Sequence, residues 1–110
     1  MTPLVRNIKL DHAAQKKAKA LAACSCFQHE LPDGRTPWDF IKAERLNYRE
    51  AGENLAVDFI SVENMNTAWM ESPGHRANVL NHFTQTGIGI APGMWQGHQT
   101  LFVVQLFIRK

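Results

Sequence analysis

The chain has 110 residues, 45% hydrophobic and 20% charged, which is the composition of one globular domain and not of a disordered segment. Twelve basic and ten acidic side chains leave a formal charge of +2, too even a balance for a nucleic-acid binder, whose affinity comes from concentrated basic surface. No apolar run approaches the roughly 20 residues that span a bilayer. The two cysteines are too few for a disulfide framework or for a structural zinc site of their own.

The stretch from Met1 to Arg6 lacks the long apolar segment and small-residue cleavage site of a signal peptide. From Asn7 to Cys24 the pattern is helical, with Leu10, Ala14, Ala18, Leu21 and Ala22 recurring at helical spacing and Asn7 placed to cap the first turn. Lys16, Lys17 and Lys19 read as a solvated face, since no aromatic residues interleave them as a nucleic-acid surface would require. Cys24 and Cys26, two apart on such a segment, point to nearly opposite sides; the expectation is no bond between them, with Cys24 buried and Cys26 more accessible.

Leu31-Pro32-Asp33-Gly34-Arg35 reads as a turn, after which Thr36, Pro37 and Asp39 supply a cap, a proline at the first helical position and an acidic residue closing the box. This short helix is predicted to reach about Leu46. Ala51 to Phe59 is a predicted strand, with Leu55, Val57 and Phe59 alternating toward one face. Ser61 caps a predicted third helix carrying Val62, Met65, Ala68 and Trp69, and Ser72-Pro73 opens a fourth that runs to about Leu80. Gly87-Ile88-Gly89-Ile90 predicts a strand that Pro92-Gly93 ends. Thr100 to Ile108 is apolar on both faces and so needs cover on both, with Phe107 in the core. The resulting fold class is α+β, an α-β-α sandwich with a small antiparallel sheet and helices on each face.

Three polar side chains stand at element boundaries, where a rigid scaffold can aim them into a cleft: His29, Glu53 and His75. A His-Glu-x-x-His zinc site fails at His29-Glu30, because position 33 is Asp and Pro32 interrupts the helix. A serine hydrolase built on Ser72 and His75 is weakened by the helix-capping duty of Ser72. Cysteine chemistry lacks a base beside Cys24 or Cys26. His12, His82 and His98 carry no motif and read as surface residues; Arg76 and Asn78 read as braces of the fourth helix.

Phe27-Gln28-His29, Gly52-Glu53-Asn54-Leu55-Ala56 and Trp69-x-x-Ser72-Pro73-Gly74-His75-Arg76-x-Asn78 resemble, in order and spacing, the motifs of the CAP superfamily. That group holds cysteine-rich secretory, antigen-five and pathogenesis-related proteins, and the Ser-Pro-Gly-His-Arg-x-Asn form resembles its bacterial SCP-like branch. The resemblance runs from about Pro3 to Ile108, so residues 1–110 are read as one such domain, lacking the helix that family members carry before this segment. It implies a central cavity lined by His29, Glu53 and His75; at the fourth position, where eukaryotic members have a glutamate, this chain has Ser72, with Glu71 one residue early, so the set of four reduces to three. His29 and His75 would be the metal ligands, for Zn2+ or another divalent cation.

The same resemblance implies a secreted or cell-envelope binding module for a lipid, a sterol, another small molecule or a cell-surface component. A metal-dependent or acid/base hydrolase using the same cavity is the alternative. Each site residue also has a plain structural reading: Glu53 as a bonded carboxylate beneath a turn, the histidines as satisfied, partly buried side chains.

Overall fold

The computed structural model describes residues 4–58 and 83–110. In chain order these form β1 (Val5–Arg6), α1 (Ile8–Cys24), α2 (Pro37–Ala43), β2 (Glu50–Val57), β3 (Gln85–Trp95) and β4 (His98–Arg109). The predicted third and fourth helices, and Phe59, lie outside the described residues.

The four strands make one sheet in the order β1-β3-β4-β2. β3 and β4 are an antiparallel hairpin, β2 pairs antiparallel with β4, and β1 adds a short parallel pairing to β3, so the sheet is mixed and the fold is α+β. Register decides which side chains share a face. Phe102, Val104, Leu106 and Ile108 lie across from Val57, Leu55, Glu53 and Ala51 and project to the same side, where α1 packs with Leu10, Ala14, Ala18 and Leu21. Val103 and Ala56 are buried on the opposite face beside Ile88, and Phe107 is fully buried there, stacked on Phe83 at 5.6 Å. The prediction that β4 is covered on both faces therefore holds, and β2 is buried on both as well.

α1 begins where Asn7 accepts hydrogen bonds from the Lys9 and Leu10 amides, satisfying two donors that the helix itself cannot. Its distance from the sheet is set by glycine. A Cβ at Gly87 would overlap the backbone of Leu10 and Asp11, and one at Gly89 the backbone of Ala14 and Gln15. α1 thus lies directly on β3. Its side chains also close the edge of β3: Asp11 accepts from the Ile88 amide at 2.9 Å, while Gln15 accepts from the Ile90 amide and donates to the Ile90 carbonyl.

α2 carries the predicted capping box, with Thr36 accepting from the Asp39 amide and Asp39 from the Thr36 amide. Thr36→Ala should cost about 1 kcal/mol in denaturant unfolding. The Thr36 backbone amide, bonded to the Asp39 carboxylate, is the main cause holding its pKa below the ordinary value. Its stabilisation is therefore present above the ordinary aspartate range of about 4 and is lost as pH falls through the lowered pKa. The stability gap between wild type and Asp39→Asn should accordingly close in acid, which pH-dependent melts would register.

Four sequence expectations are corrected. α2 stops at Ala43 instead of Leu46, because Glu44 caps it and Arg45 turns left-handed at φ 59. β3 continues past Pro92-Gly93 to Trp95 and turns into β4 through Gln96 and Gly97, both at positive φ, a two-residue hairpin turn of the kind that matches strand twist. Pro92 is harmless there, since the amides of Ile88 and Ile90 face the outer edge and, by the strand's two-residue period, Pro92 has no donor where the next one would fall.

Cys24 and Cys26 are joined in a disulfide, with Cα atoms 5.2 Å apart. The helix ends at Cys24 and Ser25 is left-handed (φ 53), which swings Cys26 back toward its neighbour; Cys24 is exposed and Cys26 half-buried. Finally, Lys17 is not on a solvated face. It is completely buried.

Candidate functional site

Lys17 sits on the apolar stripe of α1, one helical step from Ala14 and from Leu21, and this places its side chain between the helix and the sheet. The register of β2 against β4 puts Glu53 across from Leu106 and so on the same face. The two side chains meet as an ion pair, Nζ to Oε2 at 2.7 Å and to Oε1 at 2.9 Å, with side-chain exposures of 0% and 1%. Lys17 also donates to the carbonyl oxygen of His29, in the loop that links α1 to α2.

The third member is the His29 ring, whose Nδ1 lies 2.6 Å from Glu53 Oε1. Glu53 Oε1 accepts from Lys17 and also lies against the ring; an ionised carboxylate can only accept, so in this pairing Nδ1 is the donor. The ring is 67% exposed, and Nε2 is the nitrogen that Glu53 does not engage. A buried lysine therefore holds a buried carboxylate, and the carboxylate holds an exposed imidazole. This carboxylate–imidazole pairing is how ligating histidines are usually oriented.

Burial lowers the Lys17 pKa and raises that of Glu53, each against the attraction of its partner. Desolvation pushes both toward neutrality, while the short contact between them opposes it. The charge of Glu53 is thus matched within the protein and not left to attract an ion alone.

Of the predicted site residues, the structure brings His29 and Glu53 together. His75, Glu71 and Ser72 lie outside the described residues, as do Arg76, Asn78 and His82. His12 and His98 are exposed as expected, His12 beside Glu44 and His98 hydrogen-bonded to Asp58 at 2.7 Å. Among the described residues no three His, Cys, Asp or Glu side chains group as metal ligands. Lys17 is the member that sequence reasoning missed. Its angular position on the stripe is the available signal, which reading Lys16, Lys17 and Lys19 as one group conceals.

The described residues form an α+β domain in which an internal lysine–glutamate pair braces an exposed histidine. The chain belongs to the CAP family of cysteine-rich secretory proteins, whose family model matches residues 1–107. It is 36% identical over 90 residues to the uncharacterized protein YkwD of Bacillus subtilis (strain 168), an alignment covering 81% of this chain and 35% of that protein. The crystal structure of an extracellular SCP-domain protein from Bacillus anthracis str. Ames matches 99% of this chain and 35% of its own, at 30% identity and a TM-score of 0.80. An outer surface protein of Borrelia burgdorferi shares the fold, with a TM-score of 0.78 at 24% identity over 100% of this chain and 80% of that one. The chain spans about a third of the length of the two Bacillus proteins.

Proposed function

We propose that this is a binding domain of the cell exterior or envelope, and that its site is centred on His29. One observation carries the reading: the exposed imidazole is fixed by a buried carboxylate through Nδ1 and so presents Nε2 to a ligand. The extracellular Bacillus anthracis relative and the Cys24–Cys26 disulfide support the compartment. No helix among the described residues is long and apolar enough to cross a membrane.

The donor chemistry fits a weakly held divalent cation. His29 supplies one imidazole nitrogen, His75 is the proposed second ligand, and Glu53 acts through His29 because its charge is already engaged by Lys17. Two nitrogen donors favour zinc over magnesium, which prefers oxygen. A lipid, another small molecule or a cell-surface component would occupy the same cavity. Calorimetric titration with zinc at neutral pH should show modest affinity for wild type and a clear loss for folded His29→Ala and His75→Ala. Equal binding by both variants would place the metal elsewhere.

The same geometry would also serve a general base, since an imidazole oriented by a carboxylate can accept a proton at Nε2. Ester and peptide turnover lost on His29→Ala would favour that hydrolase reading over simple binding.

A further inference from the structure

The loop after α2 forms a cleft of about 490 Å³ with the first turn of α1 and the end of β4, lined by Lys9, Arg45, Leu46, Asn47, Tyr48, Arg49 and Lys110. Four of these seven residues are cationic and none is acidic. The neighbouring carboxylates are engaged elsewhere: Asp11 by Arg6, Glu44 by Lys16 at 2.9 Å, and Glu50 by Arg109 at 3.0 Å. Among the described residues, Lys9, Arg45, Arg49 and Lys110 make no ion pair.

The floor is fixed. Leu46 and Tyr48 pack against the core, and the Arg49 amide donates to the Arg109 carbonyl at 2.7 Å, tying the loop to the sheet. Arg45 is held at the turn that ends α2, its amide bonded to Lys42. Two arginines are therefore mounted on one short, anchored loop, and Lys9 and Lys110 line the same cleft. Guanidinium forks match the paired oxygens of phosphate, and ammonium groups supply further charge without a fixed geometry. The volume exceeds what a single phosphate needs, and the half-buried Tyr48 with the Asn47 amide offers an aromatic and a polar wall.

We infer that this cleft binds an anion carrying more than one phosphate group, at a site separate from His29, Glu53 and Lys17. The shared chemistry is phosphate, whether presented by a soluble oligophosphate or by anionic lipid headgroups. The test titrates tripolyphosphate calorimetrically at low ionic strength, and in parallel co-sediments the protein with phosphatidylglycerol-containing vesicles against phosphatidylcholine vesicles. Three proteins are compared: wild type, Arg45→Gln/Arg49→Gln, and Lys19→Ala/Lys42→Ala, which removes the same charge from surface outside the cleft.

Arg45→Gln/Arg49→Gln should bind at least about tenfold more weakly, the control should stay within about twofold of wild type, and binding should weaken with added salt. A loss seen with tripolyphosphate identifies a soluble ligand; a loss seen only with anionic vesicles identifies headgroups. Absence of binding to both probes would overturn the inference. So would an equal loss in the two double variants, which would show diffuse surface charge and no site.

Discussion

Lys17→Met should be severely damaging although it nearly conserves volume, costing roughly 3–5 kcal/mol in chemical denaturation. That is a large share of a small domain's stability of about 5–15 kcal/mol. The reason is not the loss of attraction alone. Removing the ammonium leaves the Glu53 carboxylate without its close buried counter-charge and leaves the His29 carbonyl without its donor. Lys17→Met/Glu53→Gln should recover much of the loss, because no buried charge then remains, and the double-mutant cycle measures the coupling directly.

The pH dependence of the single variant has a definite sign. The Glu53 pKa is raised, chiefly by burial, so its contribution to stability is complete below the ordinary glutamate value of about 4.3 and is lost as pH rises through the folded value. In Lys17→Met the opposing attraction is gone. The deficit should therefore be greatest at neutral pH and shrink on acidification as Glu53 takes up a proton. A deficit that is flat with pH would mean the carboxylate is not the source of the penalty.

Gly89→Val is the second large effect. The added Cβ meets the backbone of Ala14 and Gln15, which no side-chain rotation can move aside. Overpacking typically costs about 1–3 kcal/mol; here the loss should reach or exceed the upper end, because α1 must shift off the sheet as a body. Gly97→Ala is the informative comparison. That site has open space and only an unfavourable φ of +86, so its cost should be near 1 kcal/mol. Similar melting temperatures for the two variants would refute the close helix–strand contact.

These two predictions also mark what could and could not be read from the sequence. The start of α1, the capping box of α2 and the two-sided burial of β4 follow from residues within a few positions of one another, and all three are present. Glu53 and His29 stand out as polar side chains at element boundaries, and their resemblance to family motifs is what implies a shared cavity. The burial of Lys17 does not stand out, because its cause is a carboxylate 36 residues away on another element. The early end of α2 and the Cys24–Cys26 bond share another kind of invisibility. Each depends on a left-handed residue, Arg45 or Ser25, of a type that carries no glycine-like signal for that conformation.

The closed edge of β3 has a consequence for how the chain survives its own synthesis. Residues 77–108 contain no Asp, Glu, Lys or Arg, and β3 and β4 make up most of that stretch. A long, uncharged, apolar hairpin emerging alone would be a template for pairing with other nascent chains. Its exposed rim is instead matched, in order, by Val5 and Arg6 of β1, by Asp11 and by Gln15, with Pro92 offering no donor beyond them. All four partners leave the ribosome some 75 residues before the hairpin does, so the helix is available when the strand first needs a neighbour. Gln15 and Asp11 guard against self-association from a position already in place, and their loss would first appear as aggregated product during expression.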